Sequence, residues 1–223
     1  MTAPMLSGPV FGPVSKGPAR QLVIFLHGVG ADGEDLIGLA PHLAEVLPNA
    51  AFASPNAPER CDFSPTGYQW FSLMDRRPEA LTEGVKRAAP MLDAYLDSQL
   101  ESLGLEDKSL SLVGFSQGTM VGLYAALRRP KACAAMVGFS GALLGAETLA
   151  TEIKSRPPVL LVHGDQDPVV PVQALGHAAA ALSANGIDVE HHMLPGLGHG
   201  IDGMGLALCS RFLVRAFGGS GAQ

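Results

Sequence analysis

Residues 113–120 read VGFSQGTM: an apolar run, then one serine held between two glycines. The stretch leading into it, SLSLVGFS from residue 109, has the character of a buried strand. The stretch leading out, GTMVGLYAALRR, repeats its apolar residues at helical spacing. A strand that turns straight into a helix is the building unit of a parallel α/β sheet, so this segment decides the fold class. It also poses the question of what Ser116 does. With 27 glycines in 223 residues, about 0.2 Gly-x-Ser-x-Gly pentapeptides arise by chance, so the match alone is only suggestive. Ser116 as a plain helix N-cap accounts for it equally well.

The same alternation runs along the chain. QLVIFLHG (21–28), AAFASPNAP (50–58), AAMVGFSG (134–141), PVLLVHGD (158–165) and IDVEHHML (187–194) read as further strands, most of them ending in turn residues. Helical spacing fills 33–47, 80–104 and 171–186, the last closing on an Asn-Gly C-cap. Continuous apolar strands joined by helices predict a mostly parallel sheet covered on both faces, with functional residues beyond the strands' carboxyl ends. We expect one domain over residues 21–217, a loose N-terminal extension over 1–20 and a loose tail over 218–223. Residues 55–80 form the one long irregular connection, and Tyr68, Trp70 and Phe71 argue that it packs.

Bulk properties narrow the function. An apolar fraction of 47% against 16% charged residues describes a chain with a sizeable core. A net charge of −6 offers no attraction to nucleic acid or an anionic membrane, so neither is expected as a partner. The longest apolar runs are too short to span a bilayer, and the N-terminus lacks the basic and apolar regions of a signal peptide, which predicts a cytoplasmic protein. Cys61, Cys133 and Cys209 are odd in number and far apart, and no histidine spacing suggests ligands, so neither a disulfide framework, a metal nor a cofactor is expected.

The downstream strand ends give Ser116 its partners. VLLVHGDQDPVV places Asp165 and Asp167 just past a buried strand, and LPGLGHG places His199 in a glycine-rich loop. Ser, then Asp, then His is the chain order of α/β-hydrolase triads: the imidazole takes the serine proton and the carboxylate holds its tautomer. Asp167 lies further out, beside the chain-fixing Pro168, and is preferred; Asp165 is placed to cap the turn. His27, His163, His177, His191 and His192 have ordinary structural readings. Two backbone donors must face the developing oxyanion, and the expected pair is Gln117 N–H with Val29 N–H from FLHGVGADGED; a simple glycine-rich turn is the alternative for the latter.

With these segments in hand, IFLHGVGADGEDL, WFSL, GFSQGTM, GFSG, HGDQDPVVP and GLGHGI together resemble the phospholipase/carboxylesterase family, the bacterial esterases related to acyl-protein thioesterases. The resemblance covers about residues 21–215 and implies an α/β-hydrolase fold, the Ser116–Asp167–His199 triad, the Val29 and Gln117 amides as oxyanion hole, and Trp70 near the substrate entrance. Thr119 stands where a glycine is common in that family. The expected activity is hydrolysis of small-molecule esters, with Trp70, Phe71 and Leu73 as a substrate wall and the chain a monomer or homodimer. Trp70 as a pin onto the core competes with the wall reading. A dienelactone-hydrolase chemistry would want cysteine in place of Ser116, and a non-enzymatic binding module would typically lack a triad member.

Overall fold

The computed structural model describes residues 6–218. Its strands are β1 (Val10–Phe11), β2 (Gln21–Leu26), β3 (Ala50–Ala53), β4 (Glu59–Arg60), β5 (Tyr68–Gln69), β6 (Leu110–Phe115), β7 (Ala135–Phe139), β8 (Val159–Gly164) and β9 (Val189–Leu194). Its α-helices are α1 (Gly33–Ile37), α2 (Ala40–Val46), α3 (Pro78–Leu103), α4 (Gln117–Arg128), α5 (Leu149–Glu152), α6 (Gln173–Ala184) and α7 (Gly203–Gly218). Seven strands form one sheet in the order β1-β3-β2-β6-β7-β8-β9, parallel except for β1. This is the α/β-hydrolase architecture.

Each central strand is apolar on both sides because both faces of the sheet are covered. Along β2, Leu22, Ile24 and Leu26 join the cluster under α3, α4 and α6, whereas Val23 and Phe25 join the one under α1, α2 and α7. Phe25 is fully buried, and sequestering such a side chain stabilises by about 1.5–3 kcal/mol. From β2 the chain steps to β3 on one side, then returns to β6 on the other. The crevice at that reversal lies beyond the carboxyl ends of β2 and β6, where ligands of open α/β sheets bind. The loop after β2 and the turn holding Ser116 therefore meet there.

Local chemistry sets most boundaries. α3 starts with Pro78 in its first turn and ends on Gly104 at φ 63°, with Leu105 N–H returning to Leu100 O. α6 ends at Asn185 and Gly186 as its Asn-Gly signal requires, with Gly186 at φ 72°. The helix expected over 33–47 is instead two: Pro41 cannot donate into a helix continuing from α1, so it opens α2. β3 stops at Ala53, short of the expected Pro58, because Pro55 removes a ladder donor.

Three expectations need correction. Residues 6–20 are not a loose extension: Leu6 is buried, and Val10 and Phe11 pair with Ala53 and Phe52 as the antiparallel edge of the sheet. Helix α7, with Leu208, Cys209, Phe212 and Leu213 buried, covers one sheet face, where the sequence pattern suggested no helix. The 55–80 connection carries a small β4–β5 hairpin. Residues 1–5 of the expected extension and 219–223 of the expected tail lie outside the described residues.

Candidate active site

Ser116 sits between β6 and α4 at φ 53°, ψ −115°, a conformation that costs a non-glycine residue roughly 1–3 kcal/mol. Its neighbours make the turn possible. A Cβ on Gly118 would fall on the Leu26 carbonyl oxygen, and one on Gly114 would meet the Gly118 backbone at 2.6 Å. Thr119 fills the space below: its hydroxyl is 2.8 Å from Gly114 O and 2.9 Å from Phe139 O, and its methyl occupies the room that glycine leaves at 138 and 141. The departure from the family pattern at this position is thus absorbed inside the protein.

The three distant residues meet. His199 Nε2 lies 3.0 Å from Ser116 Oγ, and His199 Nδ1 lies 2.7 Å from Asp167 Oδ2. The Asp167 carboxyl is fully buried, and its Oδ1 accepts from the N–H groups of Val169 (2.8 Å) and Val170 (2.9 Å). Burial works against its ionisation, but the bonds from His199, Val170 and Val169 outweigh that and hold it below the usual carboxylate range. An ionised Asp167 only accepts, so Nδ1 of His199 carries the proton and Nε2 is free to take one from Ser116.

Two further residues divide otherwise than the sequence suggested. Asp165 Oδ1 accepts from Gly196 N–H at 2.7 Å, pinning the loop that carries His199. His163, read from sequence as part of a plain turn, is buried with Nε2 2.9 Å from Val170 O and 3.2 Å from Asp167 Oδ2. Because a carbonyl can only accept, that Nε2 bears hydrogen and donates it to Val170 O, with Asp167 Oδ2 close by. The available signal was its spacing of four from Asp167 across a strand end.

The loop after β2 is fixed from several sides. His27 is buried; Ala57 N–H donates to its Nε2 (3.0 Å), so its Nδ1–H donates to Gly28 O (2.7 Å). Burial keeps its pKa below the ordinary value, which suits this neutral form. Gly30 N–H donates to Tyr68 O and Tyr68 N–H to Ala31 O, both at 2.8 Å. A Cβ on Gly28 would touch the Phe115 ring and Ser116 Cβ at 3.2 and 3.4 Å, so the loop lies against the Ser116 turn. Among the described residues, neither Val29 N–H nor Gln117 N–H is engaged by another backbone acceptor.

Trp70 and Phe71 are not a substrate wall. Both are buried, and Leu73 packs half-buried against the same core. Trp70 Nε1–H donates to His27 O at 3.0 Å, while the Gln117 side chain accepts from Trp70 N–H (2.8 Å) and donates to Phe71 O (2.7 Å). The large indole finds its partners inward, so the segment fastens the hairpin connection to the two turns around Ser116. Open space lies elsewhere: a groove of about 330 Å³ beside His199, lined by Asp35, Leu36, Leu39, Phe115, Gly200 and Ile201. Among the described residues no group of three or more His, Cys, Asp or Glu side chains is arranged to hold a metal ion.

A solved structure carries the same architecture, and curated relatives share the sequence. The chain is 43% identical to a solved esterase, PE8, with a TM-score of 0.91 over 95% of this chain and 99% of that one. It is 32% identical to acyl-protein thioesterase 1 of Schizosaccharomyces pombe, over 75% of this chain and 77% of the relative, and 28% identical to esterase YpfH of Escherichia coli, over 83% and 78%. A profile of the phospholipase/carboxylesterase group matches residues 14–216. The chain therefore belongs to the phospholipase/carboxylesterase family, and it is a hydrolase of the carboxylesterase and thioesterase type.

Proposed function

We propose that this chain hydrolyses carboxylic esters and thioesters of small or extended acyl chains, lysophospholipids included, through Ser116, His199 and Asp167. The observation that carries the reading is the continuous relay from Asp167 Oδ2 through His199 to Ser116 Oγ, at 2.7 and 3.0 Å. His199 Nε2 takes the Ser116 proton as Oγ bonds to the acyl carbon, and the Val29 and Gln117 N–H groups bind the oxygen that gains charge. The bond to the leaving oxygen or sulfur then breaks, and the proton passes from His199 to that atom. In the second half His199 takes a proton from water, water attacks the acyl carbon, and Ser116 leaves protonated with release of the acid. Asp167 stabilises the imidazolium in both halves and stays ionised. The names of two relatives, an esterase and an acyl-protein thioesterase, make both oxygen and sulfur esters fit substrates.

A fluorophosphonate label followed by peptide mass spectrometry tests the nucleophile. The adduct is expected on the peptide containing Ser116, with stoichiometric loss of turnover of oxygen esters and thioesters alike. A label on another residue, or full turnover by labelled enzyme, would overturn the assignment.

A further inference from the structure

The groove beside His199 has no part in the relay, yet it begins at the imidazole that must deliver a proton to the departing atom. Its floor is Phe115, whose ring centroid is 4.8 Å from that of His199. One wall is Asp35 and Leu36 of α1 with Leu39 from the connection to α2; the other is Gly200 and Ile201. In the tetrahedral intermediate the former carbonyl carbon is bonded to both Ser116 Oγ and the leaving atom, so the group that leaves first must lie within reach of His199 Nε2. This groove has His199 itself in its lining.

Its charge is one-sided. The segments that form the two walls, residues 28–47 and 195–207, contain Asp32, Glu34, Asp35, Glu45 and Asp202 and no lysine or arginine. Asp32 and Asp202 are occupied as helix caps, accepting from Glu34 N–H and Gly205 N–H. Asp35 lines the groove, is exposed, and makes no hydrogen bond through its side chain among the described residues. A carboxylate there shares a mixed polar and apolar groove with Leu36, Leu39, Phe115, Ile201 and the His199 imidazole. Such a surface accommodates a neutral or an alkylated cationic group and repels an anion.

We propose that this groove is the leaving-group subsite and that Asp35 sets its charge preference: alcohols and thiols that are neutral or cationic, with hydrophobic N-alkylammonium alcohols favoured and anionic ones rejected. The proposal rests on the relay reading above, because only that reading places the departing atom at His199.

The test uses butanoyl esters of three alcohols matched in size: 2-(trimethylammonio)ethanol, 3,3-dimethylbutanol and 3-sulfopropanol. The quantity read is the cation-to-neutral ratio of kcat/KM in wild type divided by that ratio in Asp35→Asn, which cancels the alcohols' intrinsic reactivities. At low ionic strength this double ratio is expected to be about three- to tenfold, from one charge pair in a water-rich setting, and to shrink toward one in high salt. The sulfonate ester should move the opposite way, Asp35→Lys should invert the order, and Asp35→Glu should restore it. A parallel series carries the charge on the acyl part with ethanol as the common leaving group. A double ratio of one, or a charge effect that follows the acyl series, would overturn the subsite assignment while leaving the esterase reading intact. A folded enzyme that turns over none of the esters and takes no label on Ser116 would bring down the relay reading and this inference together.

Discussion

Two serine turns lie side by side at the carboxyl edge of the sheet. Gly114-Phe115-Ser116 ends β6 and Gly138-Phe139-Ser140 ends β7, paired residue for residue from Gly114 with Gly138 to Phe115 with Phe139. Both serines take a positive φ, 53° and 46°, and both donate a backbone N–H at 2.9 Å to the neighbouring strand. Their side chains have opposite fates. Ser116 Oγ meets His199, whereas Ser140 Oγ is buried without a hydrogen-bond partner among the described residues. The residue after each serine separates them. Gln117 opens helix α4 and locks Trp70 and Phe71 with its side chain; after Ser140 comes Gly141, with no helix and nothing to lock. The strained backbone is common to both turns, so it does not by itself make a nucleophile.

The largest separation between the turns should appear on Ser116→Ala. Removal of the hydroxyl is expected to lower kcat on the order of 10⁶-fold while the thermal midpoint holds, as in other serine triads. Steady-state kinetics on purified, folded protein decides it. Residual activity within tenfold of wild type would make the two turns equivalent after all.

Next in size is the pair of aspartates one strand further along. Asp167→Asn is expected to lower kcat by about 10⁴-fold, because an amide in place of the carboxylate favours the wrong His199 tautomer. Asp165→Asn should cost only a few-fold in kcat, roughly what one weakened staple to Gly196 N–H allows. Assaying both variants at equal folded fraction gives the comparison. The reverse ranking would mean that the buried carboxylate does not orient His199.

How far these differences are legible in the sequence depends on distance along the chain. Ser116, Asp167 and His199 can be read because each sits at a strand end in a glycine-rich turn, in an order that few folds use. The loops' fastening cannot. Trp70 finds His27 O and Gln117 Oε1 some 43 and 47 residues away, and no local pattern announces that an indole will turn inward. His163 reads as an ordinary turn residue because its role needs the turn at 164–167 to fold back. β1 escapes notice because two residues among Pro and Gly carry no period. α7 begins GMGLALC, where glycines blur the helical signal at its start.

Trp70→Ala tests that fastening. With the indole buried and its Nε1–H bonded to His27 O, the substitution should cost about 3–5 kcal/mol of stability. Trp70 is fully buried with its indole turned inward and offers no surface to an acyl chain, so the profile of kcat/KM against acyl length in the surviving enzyme should stay unchanged. Chemical denaturation and an ester series from two to ten carbons give both readings on one variant. A small stability loss with a shifted profile would return Trp70 to the substrate wall and make the Gln117 clamp incidental.

The smallest effect belongs to the silent turn. Ser140→Ala removes a buried hydroxyl that has no partner among the described residues, at a residue that does not line the groove. An unsatisfied buried polar group costs about 1–3 kcal/mol, so its loss should leave stability level or slightly raised. The positive φ is retained by alanine at a similar steric cost, which cancels in the comparison. Ser140→Gly should go further, because glycine relieves the φ of 46°, although its greater freedom in the unfolded chain takes back about 0.5–1 kcal/mol. In both variants kcat/KM should stay within about twofold of wild type, since the Ser140 hydroxyl bonds to nothing in the Ser116 turn, whose links to this strand end run through Phe139 O and Thr119. The measurement is a thermal midpoint beside an ester assay. A drop in kcat of tenfold or more with an unchanged midpoint would mean that the Ser140 hydroxyl acts on the neighbouring turn, and that the two serines work as a pair.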